Sequence, residues 1–150
     1  IAEHGPTSGS ALDFGCGYEP VLKTLLEKRG YTASIYDWYF FPEWPAQWEE
    51  RQQFDLIVST ETFEHLKSPA DELDRILGAI RPGGYLAIMT QFYPEKNGEL
   101  DAPSFADWYY KNDPTHIGFF GCTTFEWLAK TRGLNLIFQN NRDFVLFRTP

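Results

Sequence analysis

The sequence has few cysteines and no long hydrophobic run. Only two cysteines, Cys16 and Cys122, occur in the 150 residues, which is too few for a disulfide scaffold. We therefore expect reduced thiols and a cytoplasmic protein. No apolar stretch approaches the roughly 20 residues of a membrane span, and no basic start precedes a signal-like core.

Basic residues are also in short supply. The 13 Lys and Arg side chains face 21 Asp and Glu, which gives a formal net charge of -8. This balance argues against a protein that tracks a nucleic-acid backbone, although it is compatible with an enzyme that acts on RNA through a local basic patch. The length suits one domain over residues 1–150, and we expect further sequence before Ile1 because the chain does not begin with Met.

Short apolar runs alternate with helical patterns along the chain. Predicted strands cover 10–14, 31–36, 54–59 and 85–92, and two further runs flank Asn140–Asn141 as an antiparallel hairpin. Predicted helices begin at Pro20, at Ser68–Pro69 and at a capping box of Thr123 and Glu126. The order of these elements predicts an α/β fold with a Rossmann-like, doubly wound, mostly parallel sheet and a C-terminal antiparallel hairpin.

Two details of this prediction bear on packing and function. The apolar stripe of the first helix would consist of Val21, Leu22, Leu25 and Leu26. Residues 93–121 form a long loop-like segment with one helical turn around 104–110, and such a segment inside a compact domain is usually functional.

A glycine turn follows the first predicted strand. In ALDFGCGYEP, residues 11–20, the apolar run stops at Asp13, and Gly15 and Gly17 come next. A dinucleotide site needs a third glycine, but Glu19 and Pro20 occupy the places where it is expected. A carboxylate beside a diphosphate costs about 1 kcal/mol or more. The turn therefore favours a cationic ligand without phosphates, such as S-adenosylmethionine.

Three residues near this turn have two interpretations each. Asp13 can face the ammonium group of S-adenosylmethionine, directly or through water, or it fixes the turn by accepting backbone N–H groups. Asp37, at the end of the second predicted strand, can accept hydrogen bonds from both ribose hydroxyls, or it is a solvated strand end. Cys16 suits the turn because it is small, and a nucleophilic role is disfavoured.

Four motifs occur in a familiar order: ALDFGCG, the acid of IYDW, FDLIVSTETFEHL and IRPGGYLAIMT. In the order of these four motifs, the sequence resembles class I S-adenosylmethionine-dependent methyltransferases. It is most similar to the small-molecule methyltransferase domains that include ubiquinone-biosynthesis O-methyltransferases. The resemblance covers about residues 10–92 firmly and 113–148 loosely. It implies the class I methyltransferase fold, S-adenosyl-L-methionine as cofactor and a small-molecule acceptor.

The resemblance also implies a set of cofactor-binding residues: Asp13, Gly15, Cys16, Gly17, Asp37, Trp38, Ser59, Thr60 and Glu61. The last three would flank the sulfonium and the acceptor, and Trp38 would stack on the adenine. Glu19 and the short stretch between Asp37 and Phe54 depart from the family pattern, and we expect the usual helix and third strand there to be cut down. These departures slightly favour the alternative function, a degenerate domain that binds S-adenosylmethionine or a partner without turnover. Pro20 disfavours a nicotinamide oxidoreductase.

The segment TETFEHL places Glu61, Glu64 and His65 at positions i, i+3 and i+4. In the opening turn of a helix these side chains would share one side, where they suit a divalent cation with His116 as a fourth ligand. We prefer an interpretation without a metal, in which Glu64, His65 and His116 either hold the fold or act on the acceptor as acid–base groups. The divalent cation is the less favoured alternative.

Aromatic residues make up 17% of the chain and concentrate in 36–48 and 105–110. They would form the walls or lid of an acceptor pocket, since methyl transfer gains from excluded water and a fixed approach. Alternatively, they form a surface that an N-terminal segment or a partner subunit covers.

Overall fold

A computed structural model describes residues 3–150. Its strands are β1 (Gly9–Phe14), β2 (Tyr31–Tyr36), β3 (Phe54–Thr60), β4 (Ile80–Met89), β5 (Glu95–Lys96), β6 (Glu99–Leu100), β7 (Asn135–Gln139) and β8 (Phe144–Arg148). Its α-helices are α1 (Val21–Lys28), α2 (Gln47–Glu50), α3 (Pro69–Ala79), α4 (Ala102–Asp107) and α5 (Cys122–Arg132). Two 3₁₀ turns cover Phe63–His65 and Tyr109–Asn112. No helix within residues 3–150 is long and apolar enough to cross a membrane.

Six strands form one sheet in the order β2-β1-β3-β4-β8-β7. The four strands from β2 to β4 in this order are parallel, whereas β8 runs antiparallel to both β4 and β7. This confirms the predicted α/β fold with its C-terminal antiparallel hairpin. Because the first four strands are parallel, their carboxyl ends meet at one edge of the sheet, where ligands bind in such folds.

Hydrophobic clusters cover both faces of the sheet. One face packs Leu12, Phe14 and Ile57 against α3 and α5, and the other packs Leu56 and Val58 toward α1. Burial on both faces explains why the central strands consist of continuous apolar runs. The predicted stripe of α1 is only partly confirmed: Leu26 is buried and Leu22 packs against the core, but Val21 and Leu25 are exposed. Val21 and Leu25 therefore lie on the part of α1 that faces solvent.

Two predicted boundaries are wrong. The helix α3 ends at Ala79, and β4 already begins at Ile80, which pairs with Phe54 before an irregularity. The segment RPGG therefore belongs to the strand, and β4 ends at Met89 rather than at residue 92. The predicted capping box of Thr123 and Glu126 is wrong as well. Gly121 precedes α5, and its N–H donates to Thr124 Oγ1.

The segment between β2 and β3 is reduced, as predicted. It holds the single-turn helix α2, and β2 is the edge strand of the sheet. Trp44 and Trp48 close the core here, and the Arg75 guanidinium lies 4.1 Å from the Trp44 ring centroid. Residues 93–121 are more regular than the predicted loop, because β5 and β6 form a hairpin that α4 and the second 3₁₀ turn follow.

Candidate active site

A cleft of about 640 Å³ opens at the carboxyl edge of the parallel strands. Its walls come from the ends of β1 and β2, from the residues after β3 and from the start of α3. The lining residues are Phe14, Gly15, Gly17, Tyr36, Asp37, Trp38, Tyr39, Glu61, Thr62, His65, Leu66, Lys67, Ser68, Asp71 and Glu72. The edge predicted to bind a ligand therefore carries a cleft of suitable size.

The glycine turn forms the floor of this cleft. Gly15 (φ 80°) and Gly17 (φ 66°) adopt left-handed backbone conformations that favour glycine. A Cβ on Gly15 would lie 2.1 Å from Thr62 Oγ1, so this position also needs the small residue for packing. The N–H groups of Gly15 and Cys16 donate to the carbonyl of Tyr36, at 2.8 and 3.1 Å, and thereby fix the turn against the end of β2. Gly17 faces open space: no atom lies within 4 Å of an added Cβ.

Asp37 joins the turn to the loop after β2. Its Oδ2 accepts the Gly17 N–H at 3.0 Å, and its Oδ1 accepts the N–H groups of Tyr39 and Phe40 at 2.9 and 3.1 Å. The carboxylate is therefore half-buried and bonded rather than a freely solvated strand end. Since Oδ2 accepts only one of these bonds, it retains acceptor capacity toward the cleft.

Asp13 lies beneath the turn and outside the cleft wall. Its side chain is 2% exposed, and Oδ2 has no hydrogen-bond partner within the described residues. Burial raises the pKa of Asp13 to about 6, against a smaller opposing effect of the Lys23 backbone N–H. Burial likewise raises the pKa of the neighbouring Cys16 thiol to about 11, with help from the charges of Asp13 and Asp37. A protonated thiol is a poor nucleophile, which supports the interpretation of Cys16 as a small turn residue.

The residues after β3 divide between the cleft and the core. Glu61 lines the cleft, whereas Ser59 is buried and Thr60 half-buried, and neither lies on the cleft wall. Of the three residues expected to flank the ligand, Glu61 is therefore the one that lines the cleft. Glu61 has a left-handed backbone (φ 49°), and its N–H donates to the Met89 carbonyl at 2.8 Å. A strained non-glycine residue at a cleft is typical of functional positions.

A buried polar cluster lies behind Glu61. Glu64 is fully buried, and its Oε1 accepts a hydrogen bond from the Tyr110 hydroxyl at 2.5 Å. The same hydroxyl lies 3.1 Å from Glu61 Oε2 and 3.3 Å from Thr90 Oγ1. Burial and the bond to Glu64 raise the pKa of Tyr110, so the phenol stays protonated. Burial, followed by the charge of Glu64, raises the pKa of Glu61.

His65 and His116 meet beside Glu64, with ring centroids 4.8 Å apart. His65 Nδ1 lies 2.9 Å from the Thr115 carbonyl, and His116 Nδ1 lies 2.7 Å from the Tyr110 carbonyl. The Glu64 carbonyl accepts the N–H groups of residues 117 and 118 and so holds the His116 segment in place. Glu64, His65 and His116 thus lie close together, on a 3₁₀ turn and a loop rather than on one helical face. Glu61 lies outside this group, and its Oε2 accepts a hydrogen bond from the Tyr110 hydroxyl.

The aromatic segments split into core and rim. Tyr36, Trp44 and Trp48 pack in the core, whereas Trp38 and Tyr39 are exposed at the cleft. In the second segment, Phe105, Trp108 and Tyr110 stack toward His116 and Phe119. Of the exposed aromatic residues in these two segments, Trp38 and Tyr39 are the ones that line the cleft, where they can form a rim over a bound molecule.

The family of the chain follows from comparison with known proteins. Residues 1–139 match the model of a family described as a methyltransferase domain. The chain belongs to this family. No curated protein matches the chain. Among solved structures, it is similar to a SAM-dependent methyltransferase from Archaeoglobus fulgidus, with 14% identity and a TM-score of 0.67 over 99% of this chain and 89% of that one.

Two further solved structures share the fold of the methyltransferase domain. A phosphoethanolamine N-methyltransferase 2 from Haemonchus contortus, solved with S-adenosylhomocysteine, has 16% identity and a TM-score of 0.59 over 99% of this chain and 51% of that one. An O-methyltransferase family protein from Burkholderia thailandensis has 12% identity and a TM-score of 0.58 over 93% and 50%. Neighbours that are named for nitrogen and for oxygen methylation share one fold, so the fold leaves the acceptor of this domain open.

The sequence patterns do not single out two residues of the cleft and of the buried polar cluster behind it. Thr62 packs against Gly15, donates to the Thr60 carbonyl at 3.0 Å and lines the cleft. Tyr110 was included only within an aromatic segment, although its hydroxyl contacts both Glu61 and Glu64. The position of Thr62 directly after Glu61 was an available signal. The link to Tyr110 spans 46 residues and has no local signature.

Proposed function

We propose that this domain transfers a methyl group from S-adenosyl-L-methionine to a small-molecule acceptor. The observation that carries the proposal is the open glycine turn, which the Asp37 carboxylate ties to the end of β2 at the carboxyl edge of a parallel sheet. Gly17 leaves room for a ligand to approach the backbone closely, and Asp37 retains acceptor capacity for hydroxyl groups.

The charge of the cleft supports a cationic ligand. Its walls carry four acids, Asp37, Glu61, Asp71 and Glu72, and one lysine, Lys67. An excess of negative charge favours the sulfonium and ammonium groups of S-adenosylmethionine and disfavours a diphosphate. When bound, this cofactor supplies a methyl carbon whose bond to sulfur breaks, with the electron pair staying on sulfur, as the acceptor's lone pair forms the new bond.

The proposal assigns a cofactor contact to residues of the cleft wall and of the turn. Gly15 and Gly17 border the methionine part, Asp37 accepts bonds from the ribose, and Trp38 stacks on the adenine. Glu61 lies on the cleft wall after β3. In this proposal it faces the sulfonium and the acceptor. Asp13 lies beneath the turn and interacts with the ammonium group directly or through water. Cys16 contributes its small size and its backbone N–H to the turn.

If the acceptor must lose a proton, the candidates for the general base are Glu64, His65 and His116. Of these, only His65 lines the cleft, with its side chain 40% exposed, whereas Glu64 is buried and His116 nearly so. Because His65 Nδ1 faces a carbonyl, its Nε2 is the atom free to interact with the acceptor. Glu64 Oε1 lies 3.9 Å from that Nε2. Trp38 and Tyr39 would limit the access of water from the rim.

The proposal predicts selective stabilisation by S-adenosylhomocysteine. At 100 times its dissociation constant, a ligand adds about 2.7 kcal/mol to the free energy of unfolding. Thermal unfolding with S-adenosylhomocysteine, with NAD and without ligand measures this effect. A shift with S-adenosylhomocysteine alone supports the proposal, whereas a shift with NAD alone refutes it. Methyl transfer from labelled S-adenosylmethionine into a small-molecule extract then separates turnover from binding alone.

A further inference from the structure

We propose that Glu72, at the start of α3, accepts a hydrogen bond from the 6-amino group of the cofactor's adenine and thereby selects this base. The inference rests on the proposed function, because it takes S-adenosylmethionine as the ligand of the cleft. The 6-amino group of adenine donates hydrogen bonds, and an ionised carboxylate only accepts them. Of the four carboxylates that line the cleft, Glu72 has the position, the burial and an oxygen without a hydrogen bond.

The start of α3 forms one wall of the cleft. β2 is the edge strand of the sheet, and the segment after it holds the single-turn helix α2. Within the described residues no further parallel strand lies outside β2, so none can supply a wall there. The wall residues from the start of α3 are Lys67, Ser68, Asp71 and Glu72. In this chain they are therefore the polar groups that a base bound beyond Asp37 would meet.

A chain of contacts places the Glu72 carboxylate near the residue proposed to stack on the adenine. Glu72 Oε2 lies 3.6 Å from Arg75 Nη1, which donates to the Tyr36 hydroxyl at 3.2 Å. The Tyr36 ring meets the Trp38 ring at a steep angle, with centroids 6.3 Å apart. Glu72, Tyr36 and Trp38 all line the cleft. A base stacked on Trp38 would therefore have its polar edge within reach of Glu72.

Glu72 offers a hydrogen-bond acceptor that the protein itself does not use. Its side chain is 13% exposed, and Oε2 is buried without a hydrogen-bond partner among residues 3–150. The Arg75 guanidinium compensates part of the charge, but 3.6 Å is too long for a hydrogen bond. Burial raises the pKa of Glu72 against the opposing charge of Arg75. Because a buried acceptor without a partner is costly, a donor on the ligand would recover that cost.

The other three carboxylates of the cleft are less suited to the base. Asp37 already accepts three backbone N–H groups, and the proposed function assigns it to the ribose. Glu61 accepts a hydrogen bond from the Tyr110 hydroxyl and is assigned to the sulfonium. Asp71 is exposed, so water competes for its oxygens and a hydrogen bond there discriminates little between ligands.

Two ligands that differ at this group test the assignment. S-inosylhomocysteine carries an oxygen in place of the 6-amino group, so two acceptors would face each other at Glu72. By isothermal titration calorimetry we expect the wild type to bind S-adenosylhomocysteine more than about tenfold more tightly than S-inosylhomocysteine. In Glu72→Gln this ratio should fall below about threefold, since the amide can present either its oxygen or its NH₂ group.

Glu49→Gln is the matched control for the ion pair with Arg75. Glu49 Oε1 lies 3.8 Å from Arg75 Nε, but Glu49 does not line the cleft. This variant should keep the wild-type ratio. If Glu72 acts only by holding Arg75, Glu72→Gln weakens both ligands equally and the ratio stays unchanged, which overturns the proposal. A ratio that falls in Asp71→Asn but not in Glu72→Gln also overturns it.

The wild-type ratio alone separates this inference from the proposed function, and it needs no variant to fold. A wild type that binds S-adenosylhomocysteine and S-inosylhomocysteine equally well refutes the role of Glu72 and leaves the proposed function intact. A folded wild type that binds neither ligand refutes the proposed function and this inference with it. Thermal unfolding shows whether each protein is folded.

Discussion

At the scale of single residues, Asp13 shows that a buried carboxylate beneath the glycine turn lowers the stability of the folded protein. Its carboxyl group is buried beneath the glycine turn, and Oδ2 has no partner within the described residues. Burial raises its pKa from 3.8 to about 6, so the folded protein holds this proton more tightly than the unfolded chain does. The contribution of Asp13 to stability is therefore present below pH 4 and is lost as the pH rises through about 6.

We expect Asp13→Asn to stabilise the ligand-free protein at pH 7 to 8. The shift from 3.8 to about 6 corresponds to about 2–3 kcal/mol, which the neutral amide would recover. Urea unfolding at several pH values measures the difference between the variant and the wild type. It should be small near pH 4 and grow up to about pH 6. A difference that is independent of pH would mean that Asp13 titrates normally.

The two glycines of the turn should differ in their tolerance of a side chain. An alanine Cβ at residue 15 would lie 2.1 Å from Thr62 Oγ1, whereas at residue 17 it meets no atom within 4 Å. Both positions impose a left-handed backbone. We expect Gly15→Ala to cost about 2–4 kcal/mol of unfolding free energy, and Gly17→Ala about 1–2 kcal/mol. Equal losses of unfolding free energy in urea would show that the Thr62 side chain moves aside without a cost.

Asp37→Ala should weaken S-adenosylhomocysteine binding about tenfold or more, or about 1.4 kcal/mol, because the ribose loses its carboxylate acceptor. Isothermal titration calorimetry gives the affinity. Glu43→Ala is the control, since Glu43 is an exposed acid of the same segment that does not line the cleft. Unchanged affinity in a folded Asp37→Ala protein would contradict the ribose assignment.

At the scale of secondary-structure elements, the strands were the most predictable part. The apolar run at residues 54–59 predicts a buried strand, and β3 (Phe54–Thr60) matches it closely. The run is apolar because both faces of β3 are covered. Boundaries set by tertiary contacts were less predictable. Nothing local shows that Ile80 pairs with Phe54, or that Thr124 rather than Glu126 bonds to the residue before α5.

The candidate site shows the same division. Gly15, Gly17, Asp37 and Glu61 were predictable because each follows a recognisable strand. Ser59 also lies at the end of a recognisable strand, but its side chain is buried. In a strand, a difference of one residue reverses the side that a side chain occupies. The contact between Tyr110 and Glu64 depends on the fold of residues 93–121, which lacks a hydrophobic period.

The Tyr110 hydroxyl should anchor the segment Tyr109–Asn112 to the strand ends. Tyr110→Phe leaves Glu64 Oε1 without its donor, and a buried acceptor that loses its partner costs about 1–3 kcal/mol. Tyr109→Phe is the matched control: its exposed hydroxyl contacts Gln91, and its loss should cost less than about 0.5 kcal/mol. Urea unfolding compares the two variants. Equal losses would exclude an anchoring role for Tyr110.

At the scale of the whole molecule, the negative charge and the cleft act together. The net charge of -8 and the four acids of the cleft wall favour small cationic ligands over polyanions. The family match covers residues 1–139, so nearly the whole described fold belongs to the methyltransferase domain. The reduced segment between β2 and β3 leaves Trp38 and Tyr39 exposed at the mouth of the cleft.

The central claim is that the cleft over the glycine turn binds S-adenosylmethionine. A crystal structure of the protein with S-adenosylhomocysteine tests it most directly. We predict density for the ligand along Gly15 and Gly17, with its ribose hydroxyls on the Asp37 carboxylate and its sulfur toward Glu61. Density for this ligand elsewhere, or a cleft that stays empty at saturating ligand, would contradict the account.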